Sequence, residues 1–253
     1  MKFATYPSLR DRTAFVTGGA SGIGADIVRA FAAQGSKVGF VDIDATRGTA
    51  LAEELTSAGE RVAFEPCDLR EIEALKSAFA RLLARLGPAA VLVNNAAHDE
   101  RHDWKDVTPE YYDERIAVNL RHMFFAIQAV APGMIEAGRG SIINFGSNSW
   151  WEAVGGMPAY TTAKAAVHGM TRSFARDLGK HRIRVNTVVP GWVMTERQKQ
   201  LWVTEEAIAR QRNRECLSDL IEPAFLAQMV LFLAADDSAM CTASNFIVDA
   251  GSI

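Results

Sequence analysis

Tyr160 and Lys164 lie four residues apart in the segment Tyr160-Thr161-Thr162-Ala163-Lys164. In a helix this spacing puts both side chains on one face. A free tyrosine has a pKa near ~10, too high for a base at neutral pH, but a nearby ammonium favours the phenolate. The pair therefore indicates proton transfer by a tuned phenol. A surface Tyr–Lys pair is the alternative, because this spacing is common by chance.

Two further polar residues favour the chemical interpretation. Ser147 precedes Tyr160 by 13 residues and follows an apolar run that is typical of a strand. Asn119 lies in the run RIAVNLRHMFF, where a helix is expected although asparagine competes with the backbone for hydrogen bonds. A bent helix or a held water would explain this asparagine, and a solvent-facing side chain is the alternative.

A glycine-rich segment, Thr17-Gly18-Gly19-Ala20-Ser21-Gly22-Ile23-Gly24, follows the first expected strand and opens a helix. Glycines allow close approach to a pyrophosphate, and the helix N-terminus supplies free N–H groups. Asp42 ends the next strand, where a carboxylate accepts hydrogen bonds from the adenosine ribose and repels the 2′-phosphate of NADP. The pattern predicts NAD as cofactor. A plain strand-to-helix turn and a helix cap at Asp42 are the alternatives.

These residues need elements that bring them together. Short β-branched runs predict strands at Thr13–Thr17, Lys37–Asp42, Val62–Glu65, Val91–Asn94, Ser141–Phe145, Arg184–Val189 and Phe246–Asp249. Helices are predicted at Gly22–Ala33, Thr46–Ala58, Glu71–Leu86, Pro109–Ala137, Thr161–His181 and Pro223–Ala234. This alternation predicts an α/β, doubly wound Rossmann fold: a seven-stranded parallel sheet with helices on both faces, in one domain over residues 1–253. Ligands bind at the carboxyl ends of such strands, where all the motifs fall.

Composition excludes several classes of function. The 253 residues carry a net charge of -3, with 49% hydrophobic and 23% charged residues, which gives no support for nucleic-acid binding. Three cysteines without close pairing fit a reducing compartment. No apolar run near the N-terminus is long enough for a signal peptide or a membrane span, so a cytoplasmic location and no membrane partner are expected. The five histidines lack metal-site spacing, and no metal is predicted.

Taken together, TGGASGIG, Asn94–Ala97, Asn119, Ser147, YTTAK and Pro190–Thr195 resemble the short-chain dehydrogenase/reductase family over nearly the whole chain. The resemblance implies a catalytic tetrad of Asn119, Ser147, Tyr160 and Lys164. In it Tyr160 is the acid/base, Ser147 holds the substrate oxygen, Lys164 binds the nicotinamide ribose and tunes Tyr160, and Asn119 keeps a water in a proton relay. The predicted cofactor-binding residues are Gly18, Ser21, Gly22, Ile23, Gly24, Asp42, Ile43, Asp68, Leu69, Asn95, Ala96, Ala97, Tyr160, Lys164, Pro190, Gly191, Val193 and Thr195. Asp68 is expected beside the adenine and residues 190–195 beside the nicotinamide.

Three segments, 98–104, 148–158 and 192–213, are expected to surround the substrate. The last two carry four of the five tryptophans together with many polar groups, a combination that suits a sugar. The tryptophans could instead belong to the core or to oligomer contacts, and the charged run His98–Asp103 could be a solvated loop. The predicted substrate contacts are Ser147, Asn148, Tyr160 and Trp192.

The segments NFGSNSW, GWVMTERQKQLW and FLAADDSAMCTASNFIVDAG resemble bacterial aldose 1-dehydrogenases of this family. The resemblance implies oxidation of the anomeric C1 hydroxyl of an aldose to a lactone, with hydride transfer to NAD, by a homotetramer. One alternative is an NAD(P)H-dependent reductase of a 3-oxoacyl thioester, which Asp42 disfavours. The other is a non-catalytic nucleotide-sensing protein, which the complete tetrad disfavours.

Overall fold

The computed structural model describes residues 3–253. Its seven strands are β1 Thr13–Thr17, β2 Lys37–Asp42, β3 Arg61–Pro66, β4 Val91–Asn94, β5 Gly140–Phe145, β6 Ile183–Pro190 and β7 Asn245–Val248. All six pairings are parallel, in the order β3-β2-β1-β4-β5-β6-β7. The predicted seven-stranded parallel sheet is confirmed, with strand ends within three residues of those expected.

Within the described residues, nine α-helices connect or flank the strands. They are α1 Gly22–Ala33, α2 Ala45–Ser57, α3 Ile72–Leu86, α4 Pro109–Ile116, α5 His122–Ala137, α6 Pro158–Leu178, α7 Glu196–Leu201, α8 Glu205–Arg212 and α9 Pro223–Ala234. Within residues 3–253, no helix combines the length and the apolar character needed to cross a bilayer.

The core has two layers because alternate residues of each buried strand point to opposite faces. On one face Val16 and Val38 pack with Phe31 of α1 and Val230 of α9. On the other face Phe15 meets Phe79 of α3 edge to face, with ring centroids 5.5 Å apart. The expectation of helices on both faces is therefore confirmed.

Two predicted elements need correction. The expected helix Pro109–Ala137 is interrupted by a π-helical segment, Ala117–Arg121, which separates α4 from α5. The expected loop 192–213 contains α7 and α8, which are short and contain no buried residue. Both are capped: Thr195 and Thr204 accept hydrogen bonds from the third residue after each, so local capping rather than burial starts them.

Strand order changes direction between β1 and β4, and the chain is tied together there. The Thr17 hydroxyl accepts hydrogen bonds from the backbone N–H groups of Asn95 and Ala96, at 3.1 and 3.2 Å. The Asn95 side chain donates back to the carbonyl oxygens of Thr17 and Gly18, at 3.1 and 3.0 Å. In a doubly wound sheet this reversal opens the crevice in which ligands bind.

Candidate active site

The glycine segment between β1 and α1 forms a cradle that side chains would fill. Gly18 has a φ of +66°, and a Cβ there would lie 2.8 Å from the Cα of Ala96. A Cβ on Gly24 would lie 1.8 Å from the Gly18 carbonyl oxygen. Among the described residues, the Ser21 side chain makes no hydrogen bond that caps α1. The first N–H groups of α1 are therefore available to an anionic ligand, and the cradle fits a pyrophosphate.

This cradle is one end of a cavity of about 580 Å³. The predicted cofactor residues that line it are Gly18, Ser21, Gly22, Ile23, Gly24, Asp42, Ile43, Asp68, Leu69, Asn95, Ala96, Ala97, Tyr160 and Thr195. We call it the cofactor cavity. It runs along the carboxyl ends of β1, β2, β3 and β4, where the fold predicts a dinucleotide.

Asp42 ends β2 inside the cofactor cavity. One carboxylate oxygen accepts a hydrogen bond from the N–H of Ala20 at 2.9 Å, and the other accepts from the N–H of Asp44 at 3.0 Å. The cap of α2 is Asp44, which accepts from the N–H of Arg47. Asp42 is therefore tied to the glycine segment, and each of its oxygens keeps a further acceptor site.

Asp68 follows β3 and is bound by Arg70, a cavity residue that the sequence did not single out. The Arg70 guanidinium lies 2.6 Å from the Asp68 carboxylate and 2.8 Å from Glu114 of α4. The Arg70 hydrogen bonds outweigh burial and lower the pKa of Asp68. The side wall of the cofactor cavity thus carries a fixed carboxylate–guanidinium pair.

A second cavity of about 350 Å³ lies beside the first and is lined by both polar and apolar side chains. The predicted residues that line it are Ile23, Ser147, Asn148, Tyr160, Pro190, Gly191, Trp192, Val193 and Thr195. We call it the substrate cavity. Ile23, Tyr160 and Thr195 line both cavities, so they lie where the two meet.

Tyr160 lies in the first turn of α6 rather than ahead of it, because α6 begins at Pro158. Burial, followed by the Asp99 carboxylate, raises the pKa of Tyr160. A hydrogen bond with Ser147 offsets only part of this effect, so the net shift is upward. The Ser147 hydroxyl also lies 3.0 Å from the hydroxyl of Ser149 and accepts from the Ser149 N–H at 3.1 Å. A phenol and a fixed hydroxyl thus meet at the junction of the cavities.

Lys164 lies deeper than expected and lines neither cavity among the described residues. Its side chain is 1% exposed, and its Nζ donates to the Phe145 carbonyl oxygen at 2.8 Å and lies 5.8 Å from the centre of the Tyr160 ring. Burial lowers the pKa of Lys164 to about 7. Burial opposes the charge of both groups, so the pKa of Tyr160 is raised in this structure, and the tuning of Tyr160 by Lys164 stays a prediction.

Asn119 lies in the π-helical segment and is fully buried, so the solvent-facing alternative is wrong. Its Oδ1 accepts from the N–H of His98 at 2.8 Å, and its Nδ2 donates to the carbonyl oxygens of His98 at 3.2 Å and Arg115 at 2.9 Å. The extra residue of a π-turn gives the side chain this position. Asn119 therefore holds the peptide of His98 at the start of the loop after β4.

Asp99 is a cavity residue that sequence reasoning missed. It lines both cavities, and its carboxylate pairs with Arg197 and accepts from Gln198 Nε2 at 2.8 Å. Burial raises the pKa of Asp99, but the charge and hydrogen bonds of Arg197, with Gln198 and Arg101, outweigh it and lower the pKa overall. The solvated-loop interpretation is wrong at this residue, and its position just after β4 is the signal that could have identified it.

The tryptophans divide into two groups. Trp192 and Trp202 line the substrate cavity, and Trp192 Nε1 donates to Gln198 at 3.0 Å. Trp150 and Trp151 instead pack against each other and against His168, with ring centroids 4.4 to 5.3 Å apart. Two of the four expected tryptophans therefore line the substrate cavity.

The chain is similar to proteins of known activity over almost its whole length. The family model described as "Enoyl-(Acyl carrier protein) reductase" matches residues 18–252. The chain is 49% identical to a probable galactose dehydrogenase, GalD, of Rhizobium meliloti, covering 97% of this chain and 96% of that one. It is 48% identical to a D-xylose 1-dehydrogenase of Caulobacter vibrioides, covering 99% of each.

A solved structure also matches closely. The crystal structure of a blue fluorescent protein from a metagenomic library, in complex with NADPH, superposes with a TM-score of 0.87 at 35% identity and covers 97% of this chain and 99% of that one. The galactose and D-xylose dehydrogenases confirm the resemblance to aldose 1-dehydrogenases that the sequence predicted.

Proposed function

This chain belongs to the short-chain dehydrogenase/reductase family, a family of oxidoreductases, and we propose that it oxidises the anomeric C1 hydroxyl of an aldose to a lactone with NAD as cofactor. One observation carries the proposal. Tyr160, the acid/base that the family resemblance implies, lies where the glycine-lined cofactor cavity meets the substrate cavity. A proton acceptor in that place can reach a hydroxyl in one cavity while a nicotinamide lies in the other.

The residues of the cofactor cavity fit a dinucleotide. The N-terminus of α1 and the glycine cradle would hold the pyrophosphate, Asp42 the adenosine ribose, and Asp68 and Leu69 the adenine side. Thr195 at the junction of the two cavities, with Pro190, Gly191 and Val193 on the side of the substrate cavity, would flank the nicotinamide, which accepts a hydride from the substrate carbon when it is bound. Asp42 supports NAD over NADP because its carboxylate would repel a 2′-phosphate. The relative with NADPH supports a nicotinamide cofactor in general.

The proton steps use this chain's own side chains. The Ser147 hydroxyl, fixed by Ser149, holds the C1 oxygen, and the Tyr160 phenolate takes the hydroxyl proton. Lys164 lies beneath the Tyr160 ring, where its charge favours the phenolate whenever it is protonated. Asn119 acts indirectly, because it fixes the His98 peptide and so the path of the loop that carries Asp99.

The aldose class has two supports. The two curated relatives, near half identity over nearly the full chain, are named for galactose and D-xylose. The substrate cavity carries carboxylates, amides, guanidinium groups and two indoles, which match the hydroxyls and the C–H face of a sugar. The homotetramer and the cytoplasmic location stay predictions.

A substrate panel tests the proposal. We expect purified protein to reduce NAD with D-xylose, L-arabinose or D-galactose, with lactone as the first product and with NADP a poorer cofactor. 3-Oxoacyl thioesters and steroids serve as comparison substrates with the reduced cofactors. Turnover of those compounds without turnover of any aldose would overturn the proposal.

A further inference from the structure

One wall of the substrate cavity is built from polar side chains that the proton steps do not use. These are Asn148, Glu152, Gln211 and Arg214. Glu152 differs from the rest because it is a carboxylate whose side chain is only 7% exposed. A carboxylate buried this deeply needs partners, and those partners fix its position.

Three separate segments of the chain meet at Glu152. Its Oε1 accepts from Asn148 Nδ2 at 2.8 Å and lies 2.7 Å from the Ser252 hydroxyl. Its Oε2 lies 3.1 Å from the guanidinium of Arg214, which follows α8. Ser252 is itself held 2.9 Å from Asp249 after β7. Glu152 therefore occupies one position in the wall, set by the chain end and by the segment after α8.

The wall retains hydrogen-bonding capacity that faces the cavity. A carboxylate has about four acceptor sites, and the described contacts occupy three of those of Glu152. Arg214 has five N–H donors and its side chain is half exposed. Within residues 3–253, no donor reaches Asn148 Oδ1 or Gln211 Oε1. The wall thus offers free acceptors and free donors side by side. A sugar hydroxyl both donates and accepts hydrogen bonds, so it can use both kinds of group.

We propose that Glu152 and Arg214 bind the sugar hydroxyls on the side of the ring away from C1, and that they determine which aldoses are oxidised. The inference rests on the proposed aldose activity. Ser147 and Tyr160 take the C1 hydroxyl, and no described contact joins Glu152 to either of them. The hydroxyls at C3 and C4 lie across a pyranose ring from C1 and are the ones that this wall recognises. Trp192 and Trp202 of the same cavity supply apolar faces for the ring.

Deoxy sugars combined with Glu152→Gln test this binding directly. We expect Glu152→Gln to raise KM for D-galactose by about 10- to 100-fold, since it removes a hydrogen bond to a charged group. Wild-type protein should lose kcat/KM with the 3-deoxy or 4-deoxy form of galactose. That loss should shrink to about threefold or less in Glu152→Gln, because the partner of the missing hydroxyl is already gone.

Two control variants separate recognition from structural support. Glu65→Gln on β3 breaks a pair with Arg81 of α3, outside both cavities, and should leave KM unchanged. Ser252→Ala loosens Glu152 without removing its charge. The loss of kcat/KM with the deoxy sugars, which we call the deoxy penalty, should therefore persist in this variant. Thermal unfolding reports whether each variant folds, and Arg214→Gln at a half-exposed position replaces Glu152→Gln if that variant does not fold.

The possible outcomes distinguish the two proposals. If wild-type protein oxidises no aldose, the proposed function itself fails. If it oxidises aldoses and the deoxy penalty is as large in Glu152→Gln as in wild type, only the role of Glu152 is overturned. If the deoxy penalty is also lost in Ser252→Ala, the wall supports the shape of the cavity and does not recognise hydroxyls. That result would also overturn the inference.

Discussion

The ammonium nitrogen of Lys164 donates a 2.8 Å hydrogen bond to the carbonyl oxygen of Phe145, the last residue of β5. This bond ties the catalytic helix α6 to the strand that leads to Ser147, two residues further on. Lys164 therefore sets the distance between the segments that carry Tyr160 and Ser147. Its charge is secondary in this state, because burial lowers its pKa to about 7.

Tyr160→Phe removes the proposed proton acceptor and keeps the ring. General acid–base groups typically contribute about 10²- to 10⁴-fold, so we expect kcat to fall by at least about 100-fold. The cofactor cavity keeps its shape, so the Kd for NAD should change by no more than about twofold. Steady-state kinetics and calorimetric titration measure the two quantities. Tyr112→Phe, at an exposed position on α4, is the matched control, and equal kcat in both variants would contradict the assignment.

Asp99→Asn should move the pH profile of kcat/KM to lower pH. Tyr160 must lose its proton to act as a base, and the Asp99 carboxylate opposes that loss by raising the pKa of Tyr160. Without this charge the alkaline rise should begin about one pH unit lower, equivalent to ~1.4 kcal/mol. The profile of kcat/KM reports groups of the free enzyme.

Arg197→Gln should shift the same pH profile of kcat/KM in the opposite direction. The Arg197 cation lowers the pKa of Tyr160, so its removal should move the alkaline rise to higher pH. Shifts in the same direction for Asp99→Asn and Arg197→Gln would show that disruption of their ion pair, rather than charge, governs the profile.

Local patterns predicted the sheet and the placement of Tyr160, Ser147 and the glycine segment. The alternation that marks a strand depends only on neighbouring residues, so it can be recognised in the sequence. The carboxyl ends of parallel strands lie along one edge of the sheet, so residues that follow different strands come together there. Gly18 and Asn95 are far apart in sequence, yet the reversal between β1 and β4 brings them to 3.0 Å. The fold rule predicted that both segments lie at the carboxyl ends of their strands, and the contact itself is a finding of the structure.

Burial and contacts between distant residues could not be predicted from the sequence. The signs of the pKa shifts at Tyr160 and Lys164 depend on burial, which the spacing of the two residues does not report. Asp99 meets Arg197 across 98 residues of chain, so a run of charges looked solvated. The π-turn at Asn119 accompanies hydrogen bonds between its side chain and the backbone of His98, contacts that helical periodicity does not contain.

Asp42→Asn should weaken discrimination between NAD and NADP. The carboxylate is held at the end of β2 by the N–H groups of Ala20 and Asp44, and its charge repels a 2′-phosphate placed there. We expect the ratio of kcat/KM for NADP to that for NAD to rise at least about tenfold, or ~1.4 kcal/mol. Asp44→Asn, which keeps a side-chain oxygen for the cap of α2, is the control and should leave the ratio unchanged. A wild-type preference for NADP would contradict this reading of Asp42.

His122 should make the protein less stable in mild acid. It is fully buried at the start of α5, and its Nε2 lies 3.2 Å from the carbonyl oxygen of Ala96 in the cofactor cavity. Burial, with a smaller effect of Lys164, lowers the pKa of His122 to about 3. An unfolded chain has a histidine pKa near ~6.5, so between these values the unfolded state binds the extra proton. The free energy of unfolding must therefore fall as pH falls through this window.

The expected contribution of His122 between pH 7.5 and 5.5 is about 1.4 kcal/mol, because one protonation difference develops over roughly one pH unit there. Urea titrations of wild type and His122→Gln at both pH values measure it. The loss of stability on acidification should be smaller in His122→Gln by about that amount, even if the variant is less stable at pH 7.5. His181→Gln, at a partly exposed position after α6, is the control for a general histidine effect. Equal acid losses in wild type and His122→Gln would mean that His122 is already protonated or accessible in the folded protein.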